Sequence, residues 1–196
     1  MTNNIARWGL TKARLLGSGA FLLGILLPTT LYGLPAKTIE IGNGKTVFNR
    51  APRLVRAATS FTRVRVPATY QFTLRLPEDA GESLQAVTIT QNKTNIEKVK
   101  FDPKKSRAFV GNTFAGGSSL TLANIGGSES SHSDQVTVVF DPPVNPGQTI
   151  TVSVRAKENP EFSGSYLFGV TAFSTGDNSP GLFLGSRRLF FDEFGD

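Results

Sequence analysis

The chain has 196 residues, of which 39% are hydrophobic and 18% charged, with 20 glycines, 11 prolines and no cysteine. This length suits one main domain, and this composition excludes a disordered chain driven by charge. The absence of cysteine excludes disulfides, thiolate nucleophiles, iron–sulfur clusters and cysteine-ligated zinc.

Residues 1–36 have the pattern of a targeting segment. They begin with three cations and no acid, namely Arg7, Lys12 and Arg14. The apolar run Leu15–Leu27 follows, and its thirteen residues would span only about 20 Å as a helix, against a hydrocarbon core of ~30 Å. We therefore predict an exported protein whose signal peptide is cleaved near residues 33–36. The alternative is an uncleaved membrane anchor that uses residues 15–34.

Removal of this segment changes the charge balance of the chain. Lys plus Arg falls from 21 to 18 while Asp plus Glu stays at 15, so the formal net charge falls from +6 to +3. Much of the basic character therefore belongs to the targeting end. Composition no longer supports nucleic-acid binding, and we predict no nucleic-acid partner.

Period-two alternation in the rest of the chain predicts β-strands. The clearest case is Thr69–Leu76, where apolar side chains alternate with polar ones. Similar patterns predict strands at residues 62–66, 86–90, 97–101, 135–140, 149–156, 165–173 and 189–191. Residues 165–173 are apolar on both faces, which is typical of a central strand covered on both sides.

Proline and glycine clusters separate these strands. Asp102–Pro103 is predicted to end one strand, and residues 141–147, with three prolines, to form a rigid connection. Residues 111–133 read as a long loop with a short apolar element at Leu120–Ile125. No helical stripe of three or more turns occurs, which favours an antiparallel arrangement of strands.

The predicted fold is all-β: an antiparallel β-sandwich, immunoglobulin-like or related, of about seven to nine strands. It covers residues 47–191 after an N-terminal signal helix in residues 1–36 and a linker at 37–46, and an acidic tail follows at 192–196. We expect ten inward positions to be buried: Tyr70, Phe72, Leu74, Val87, Ile89, Val138, Phe140, Val152, Val154 and Phe168.

Candidate catalytic and metal-binding groups are few. His132 is the only histidine, and the polar loop around it offers Asp134 but no evident third ligand. The carboxylate pairs Glu78–Asp79 and Asp192–Glu193 are adjacent in sequence, so on a strand their side chains would point to opposite faces. We predict no catalytic residue, no cofactor and no metal. A metal- or polysaccharide-binding module remains an alternative.

The uneven feature of the charge pattern is basic. Sixteen consecutive residues contain five arginines and no acid: Arg50, Arg53, Arg56, Arg63 and Arg65. Arg63 and Arg65 would share one face of the predicted strand at 62–66. Such a basic face would bind an unknown protein or an anionic component of the cell envelope, and the alternative is an ordinary solvated sheet face.

Several segments, taken in their order along the chain, resemble a known family. They are residues 48–54, 68–77, 80–84, 87–91, 140–147 and 164–173. Together they resemble the domain-of-unknown-function family 2808, exported proteins found mainly in cyanobacteria. The resemblance implies location in the periplasm, the thylakoid lumen or the cell envelope. It implies no reaction, because the family carries no established catalytic residues.

Two classes of function follow from these patterns. The first is an exported, non-catalytic β-sandwich that binds or braces a partner in the envelope or thylakoid lumen. The second is an enzyme of unrecognised type. The scarcity of histidine, cysteine, tryptophan and paired acids favours the first. A membrane contact is expected only through residues 15–34, if they are not cleaved.

Overall fold

The computed structural model describes residues 39–41, 45–92, 97–112, 117–126, 134–176 and 178–195. These residues form strands and no helix, so they include no helix that could cross a membrane. The predicted signal helix lies outside them. The strands are β1 (Ile39–Ile41), β2 (Lys45–Val47), β3 (Arg53–Thr59), β4 (Ala68–Arg75), β5 (Leu84–Gln91), β6 (Phe101–Val110), β7 (Ser119–Leu120), β8 (Leu122–Gly126), β9 (Gln135–Val144), β10 (Thr149–Ala156), β11 (Gly164–Ser174) and β12 (Leu182–Phe191).

Ten of these strands form two five-stranded antiparallel sheets. The first sheet has the order β3-β4-β10-β6-β7 and the second the order β12-β11-β5-β9-β8. The prediction of an all-β antiparallel sandwich is confirmed. The expected number of seven to nine strands is too low. The strands β1 and β2 pair separately as a small hairpin, which lies largely in the predicted linker at 37–46.

The core lies between the two sheets and includes all of the side chains expected there. All ten inward positions named from the sequence have 0% exposure. Aromatic rings join the two layers: the rings of Tyr70 on β4 and Phe168 on β11 pack edge to face with centroids 5.3 Å apart. Strict alternation therefore identified the inward residues of each central strand correctly.

The predicted strand at residues 62–66 is wrong. This segment belongs to the connection between β3 and β4 and contributes only an isolated bridge between Arg63 and Asp192. Arg65 has a φ of 57°, which lies outside the β region. Val64 is a buried loop residue between the exposed Arg63 and Arg65, and this arrangement resembles the alternation of a strand.

Two of the predicted strand ends are also wrong, because prolines lie inside strands. Strand β6 begins at Phe101 and continues through Asp102–Pro103, and β9 continues through Pro142 and Pro143. In both places the register with the neighbouring strand shifts. A proline within such an irregularity removes no ladder hydrogen bond, because its position does not pair.

Strand β3 has no counterpart among the predicted strands, because a bulge breaks its alternation. The register against β4 shifts between Leu54 and Arg56, so Val55 is the extra residue. Leu54 and Ala57 both pack against the core although they are three residues apart. At the other end of the fold, β12 extends from Leu182 to Phe191, whereas only residues 189–191 were predicted.

The boundaries of two other predicted elements need adjustment. A strand was expected at 97–101, but residues 97–100 precede β6 and are not in a strand, although Val99 and Phe101 are buried as expected. The apolar element expected within the long loop is present as β7 and β8. These short strands extend the edges of the first and second sheets, respectively.

Candidate binding face

Five arginines project from the outer surface of the first sheet. Arg53 lies directly opposite Arg75, and the next pair, Leu54 and Leu74, points into the core. Because side chains alternate along a strand, both arginines point outward. The same reasoning holds for the three others. We call this surface the arginine face: Arg53, Arg56, Arg75, Arg107 and Arg155.

The pair Arg53–Arg75 is the most unusual feature of the arginine face. Directly opposite side chains on neighbouring antiparallel strands have Cβ atoms about 4.5–5.5 Å apart, where like charges are destabilising. Both side chains are exposed, and among the described residues no carboxylate forms an ion pair with either. They line a cleft of about 520 Å³ together with Pro77 and Gly147.

A third arginine in this cleft is already paired. The guanidinium of Arg50 donates to the carboxylate of Asp79 at 2.8 Å. This hydrogen bond lowers the pKa of Asp79 below its ordinary value of 3.8. Glu78 also lines the cleft, which therefore holds three guanidinium groups and two carboxylates. The surplus positive charge lies on the Arg53–Arg75 pair.

The centre of the arginine face consists of hydroxyl groups. The hydroxyls of Thr73 and Thr151 are 3.1 Å apart, and Thr151 also donates to the carbonyl of Gly111 at 2.8 Å. Arg56 lies opposite Thr73, and this is the next outward pair after Arg53–Arg75, with Leu54 and Leu74 between them. The cations therefore surround a buried row of threonines.

Within the strands of this face, negative charge is confined to one corner. Asp102 lies opposite Arg155 and forms an ion pair with Lys105 at 3.5 Å. Arg155 itself donates to the hydroxyl of Thr69 at 3.2 Å. The remaining outward positions of β3, β4 and β10 carry no acid. The face is therefore strongly basic from the cleft to the middle of the sheet.

Arg63 and Arg65 lie away from the cleft. They follow the end of β3, whose seven residues span about 23 Å from the cleft. The buried side chain of Asn159 fixes their segment by donating to the carbonyls of Phe61 and Arg63, at 3.0 and 2.7 Å. Of the five arginines that are grouped in the sequence, Arg53 and Arg56 therefore lie on the arginine face and Arg50 in the cleft, while Arg63 and Arg65 follow the far end of β3.

A second cleft, of about 500 Å³, lies beside Arg65 and is lined by four cations and three glutamates. Lys98 pairs with Asp134 at 2.8 Å, and Arg65 approaches Glu161 to 4.0 Å. The carboxylate of Glu97 accepts the backbone N–H of Glu161 at 2.7 Å, so it fixes the loop that follows β10. These contacts hold the loops on this side of the fold together.

Burial and the nearby carboxylate of Glu97 raise the pKa of the Tyr166 hydroxyl, whose proton is directed to the carbonyl of Phe162 at 2.9 Å. Burial likewise raises the pKa of Tyr70, whose hydroxyl donates to Asn159. Neither tyrosine therefore ionises near neutral pH. Their hydroxyls contribute hydrogen bonds to the fold.

Comparison with known proteins identifies the family. A family model described as a protein of unknown function, DUF2808, matches residues 45–191. The chain belongs to the DUF2808 family. The matched span contains every strand of both sheets, and so it contains the whole arginine face. No curated protein matches the sequence.

Solved structures similar to this DUF2808 chain are distant in sequence. An uncharacterised protein from Nocardia farcinica with an immunoglobulin-like fold has 15% identity and a TM-score of 0.41, covering 70% of this chain and 96% of its own. The bacterial hydrophobin BslA has 14% identity and a TM-score of 0.39, covering 71% and 98%. The collagen-binding domain of a Staphylococcus aureus adhesin has 8% identity and a TM-score of 0.37, covering 70% and 97%.

Sequence reasoning about this DUF2808 chain located only part of the arginine face. Arg75, Arg107 and Arg155 were not among its candidate residues, although Arg75 and Arg155 lie within strands that were predicted. The missing information was the order of the strands, which places β3, β4, β10 and β6 side by side. Their outward arginines are therefore neighbours in space.

The described residues contain no cluster of three or more potential metal ligands. His132, considered above as a candidate metal ligand, lies outside the part that the structure describes. Asp134, considered with it, is described, and its carboxylate pairs with Lys98.

Proposed function

We propose that this DUF2808 protein is an exported, non-catalytic binding module that holds an anionic component of the cell envelope on its arginine face. The observation that carries this proposal is the exposed Arg53–Arg75 pair without a carboxylate partner in the described structure. Two guanidinium groups so placed repel each other in the absence of a ligand. An anionic group bound between them would remove that repulsion.

Guanidinium chemistry restricts the class of ligand. Arginine donates two parallel hydrogen bonds to a carboxylate or a phosphate, in a geometry that lysine does not reproduce. Arg56 lies at the next outward pair along the sheet, and Arg107 lies on β6 beyond the threonine hydroxyls. A polymer with repeated carboxylate or phosphate groups would contact several of these positions at once.

The chemistry of the cleft supports binding without catalysis. Its two carboxylates, on Glu78 and Asp79, are exposed. General acid–base catalysis requires a pKa near the working pH, whereas Arg50 lowers the pKa of Asp79. Asp79 would therefore be ionised at neutral pH and unable to donate a proton. Its role in the proposal is to orient Arg50.

The basic and apolar pattern of residues 1–36 supports export. Delivery across a membrane would place the arginine face next to the anionic polymers and lipids of an envelope or lumenal compartment. Intact-mass measurement of the native protein tests this part of the proposal. We expect a chain that begins between Leu34 and Thr38, and recovery of the full chain from the cytoplasm would contradict export.

The binding test compares two double variants of the full chain in a sedimentation assay with envelope fractions. Arg53→Gln with Arg75→Gln removes the opposed pair, whereas Arg63→Gln with Arg65→Gln removes the same charge at the other end of β3. We expect at least a tenfold loss of affinity for the first variant and little change for the second. Because Coulombic attraction is screened over about 8 Å at physiological ionic strength, wild-type binding should also weaken as salt is raised.

The outcome of this comparison is decisive for the arginine face. Equal binding by the wild type and both variants at low salt would contradict the proposal. Equal losses in the two variants would indicate attraction by net charge alone and would also contradict a specific face. Replacement of Arg53 and Arg75 by lysines distinguishes attraction by charge from bidentate recognition, since lysine keeps the charge but loses the bidentate contacts.

A further inference from the structure

The outer surface of the second sheet differs in chemistry from the arginine face. Most of its outward side chains on β11, β5 and β9 are hydroxyl-bearing or apolar; the exceptions are Gln135, opposite Thr90, and Asp141, both on β9. We call this surface the threonine face: Thr88, Thr90, Thr137, Val139, Leu167 and Thr171. The hydroxyls of Thr88 and Thr137 are 2.8 Å apart at its centre. Their inward neighbours, such as Val87 and Val138, are fully buried in the core.

Charge is nearly absent from the threonine face. The strands β12, β11, β5 and β9 contain three charged residues, all of them in the described structure. Arg187 is directed towards the first sheet, where it donates to the carbonyl of Leu54 at 2.7 Å. Arg188 and Asp141 lie on the outermost of these strands, β12 and β9, and near opposite ends of the face. Their opposite signs leave the face without net charge.

Exposed aromatic rings extend the threonine face along β12. Phe183 is 62% exposed and Phe190 is 56% exposed. The ring of Phe183 lies over Gly169, where an added Cβ would come within 2.9 Å of it. Contiguous exposed apolar patches larger than roughly a few hundred Å² are rare on monomeric soluble proteins and mark contact surfaces, and these rings add apolar area beside a face without net charge.

The sequence of β11 also indicates that this surface is covered. Its residues are apolar on both faces, a pattern typical of strands buried on both sides. In the structure only the inward side chains, including Phe168, are fully buried. Leu167 and Phe173, which point outward, remain half-buried. A second layer over the threonine face would complete the burial that the pattern predicts.

We propose that a second copy of this chain covers the threonine face and that two copies pack face to face. Four strands are about 19 Å wide, and about nine residues of strand are about 30 Å long, so the face measures roughly 600 Å². Two such faces would bury about 1,200 Å², near the lower limit for a specific interface. A twofold interface pairs each surface with itself, which an uncharged face permits and the arginine face would resist.

This inference goes beyond the proposed function and does not depend on it. In a face-to-face pair the two arginine faces point outward on opposite sides, because each lies on the far sheet of its own sandwich. Positive charge on the two copies is thereby kept apart. A pair of this kind would present two anion-binding faces and would cross-link an anionic polymer, with an avidity that a single copy lacks.

Cysteine cross-linking of the full chain tests the pairing, since the natural sequence has no cysteine. Thr171→Cys places a thiol in the threonine face, and Ala58→Cys places one on the opposite sheet, opposite Gln71 on β4. A flexible bismaleimide is added to each variant in native extracts. We expect a covalent dimer for Thr171→Cys in at least fivefold excess over Ala58→Cys.

A third variant makes the test specific. Addition of Leu167→Lys to Thr171→Cys would place like charges within the interface, so the covalent dimer should fall to the level of Ala58→Cys. Thermal denaturation of each variant confirms that the folded protein is compared. Equal cross-linking of the two single variants, or cross-linking that survives Leu167→Lys in a folded chain, would overturn the face-to-face pairing.

Discussion

The arginine face and the threonine face are the outer surfaces of two similar sheets that enclose one core. Both have a pair of neighbouring threonine hydroxyls at their centre, Thr73 with Thr151 on one and Thr88 with Thr137 on the other. They differ in the residues around those pairs, which are arginines on the first sheet and uncharged side chains on the second. The core therefore constrains the inward positions of both sheets alike, while the outward positions differ because the core places no such constraint on them.

The largest expected effect separates the shared core from the outer surfaces. Phe168→Ala, beneath the threonine face, should lower the free energy of unfolding by about 3–5 kcal/mol, because it leaves a cavity. Phe183→Ala, on the outside of the same sheet, should change it by less than ~0.5 kcal/mol in the monomer. Urea denaturation at low protein concentration measures both, and similar losses would contradict the assignment of inward and outward positions.

A smaller effect on the free energy of unfolding is expected at Asn159, which lies in the loop after β10, outside both faces. Asn159→Ala removes a buried amide that accepts from Tyr70 and donates to two carbonyls. We expect a loss of about 1–3 kcal/mol, because buried polar groups remain without partners. Asn145→Ala, at an exposed amide, is the matched control. If binding to the arginine face also fell in folded Asn159→Ala, the Arg63 segment would contribute to that face after all.

Removal of one hydroxyl group should change the free energy of unfolding in opposite directions on the two sheets. Thr88→Val loses the contact with Thr137 and should cost about 0.5–1.5 kcal/mol. Ser153, opposite Arg107 on the first sheet, has a buried hydroxyl that lacks a hydrogen-bond partner in the described structure. Ser153→Ala should therefore be neutral or stabilising by about 1 kcal/mol. Chemical denaturation of both variants checks the sign, and destabilisation by Ser153→Ala would indicate a ligand for that hydroxyl.

The smallest predicted effect concerns the ion pair in the cleft. Because Arg50 lowers the pKa of Asp79 in the folded state, this carboxylate contributes stability above its ordinary pKa of 3.8, and the contribution is lost as the pH falls through the lowered value. Arg50→Gln should raise the pKa of Asp79 towards that ordinary value. Titration of the carboxyl carbon by NMR measures the change, and an unchanged midpoint would show that Arg50 does not control Asp79.

Alternation located the central strands because one side of each is buried against the core. Thr149–Ala156 was predicted with the bounds of β10, and residues 69–76 nearly with those of β4. The pattern failed where burial did not alternate. The bulge at Val55 interrupts the alternation in β3, so the pattern did not predict this strand. Prolines within register shifts likewise interrupt the alternation in β6 and β9, so the pattern did not predict that these strands continue. The opposite error occurred at residues 62–66, where the buried Val64 led to the prediction of a strand in a loop.

The sequence by itself determined which side chains of the regular strands point into the core, because burial of apolar side chains imposes a local period of two on each strand. It also indicated that arginines are concentrated near β3. Only the tertiary structure decided which arginines are neighbours, because Arg53 and Arg75 meet through the pairing of β3 with β4, and Arg107 lies two strands further across the sheet. Strand order depends on contacts between residues distant in the chain, and these leave no period in the sequence.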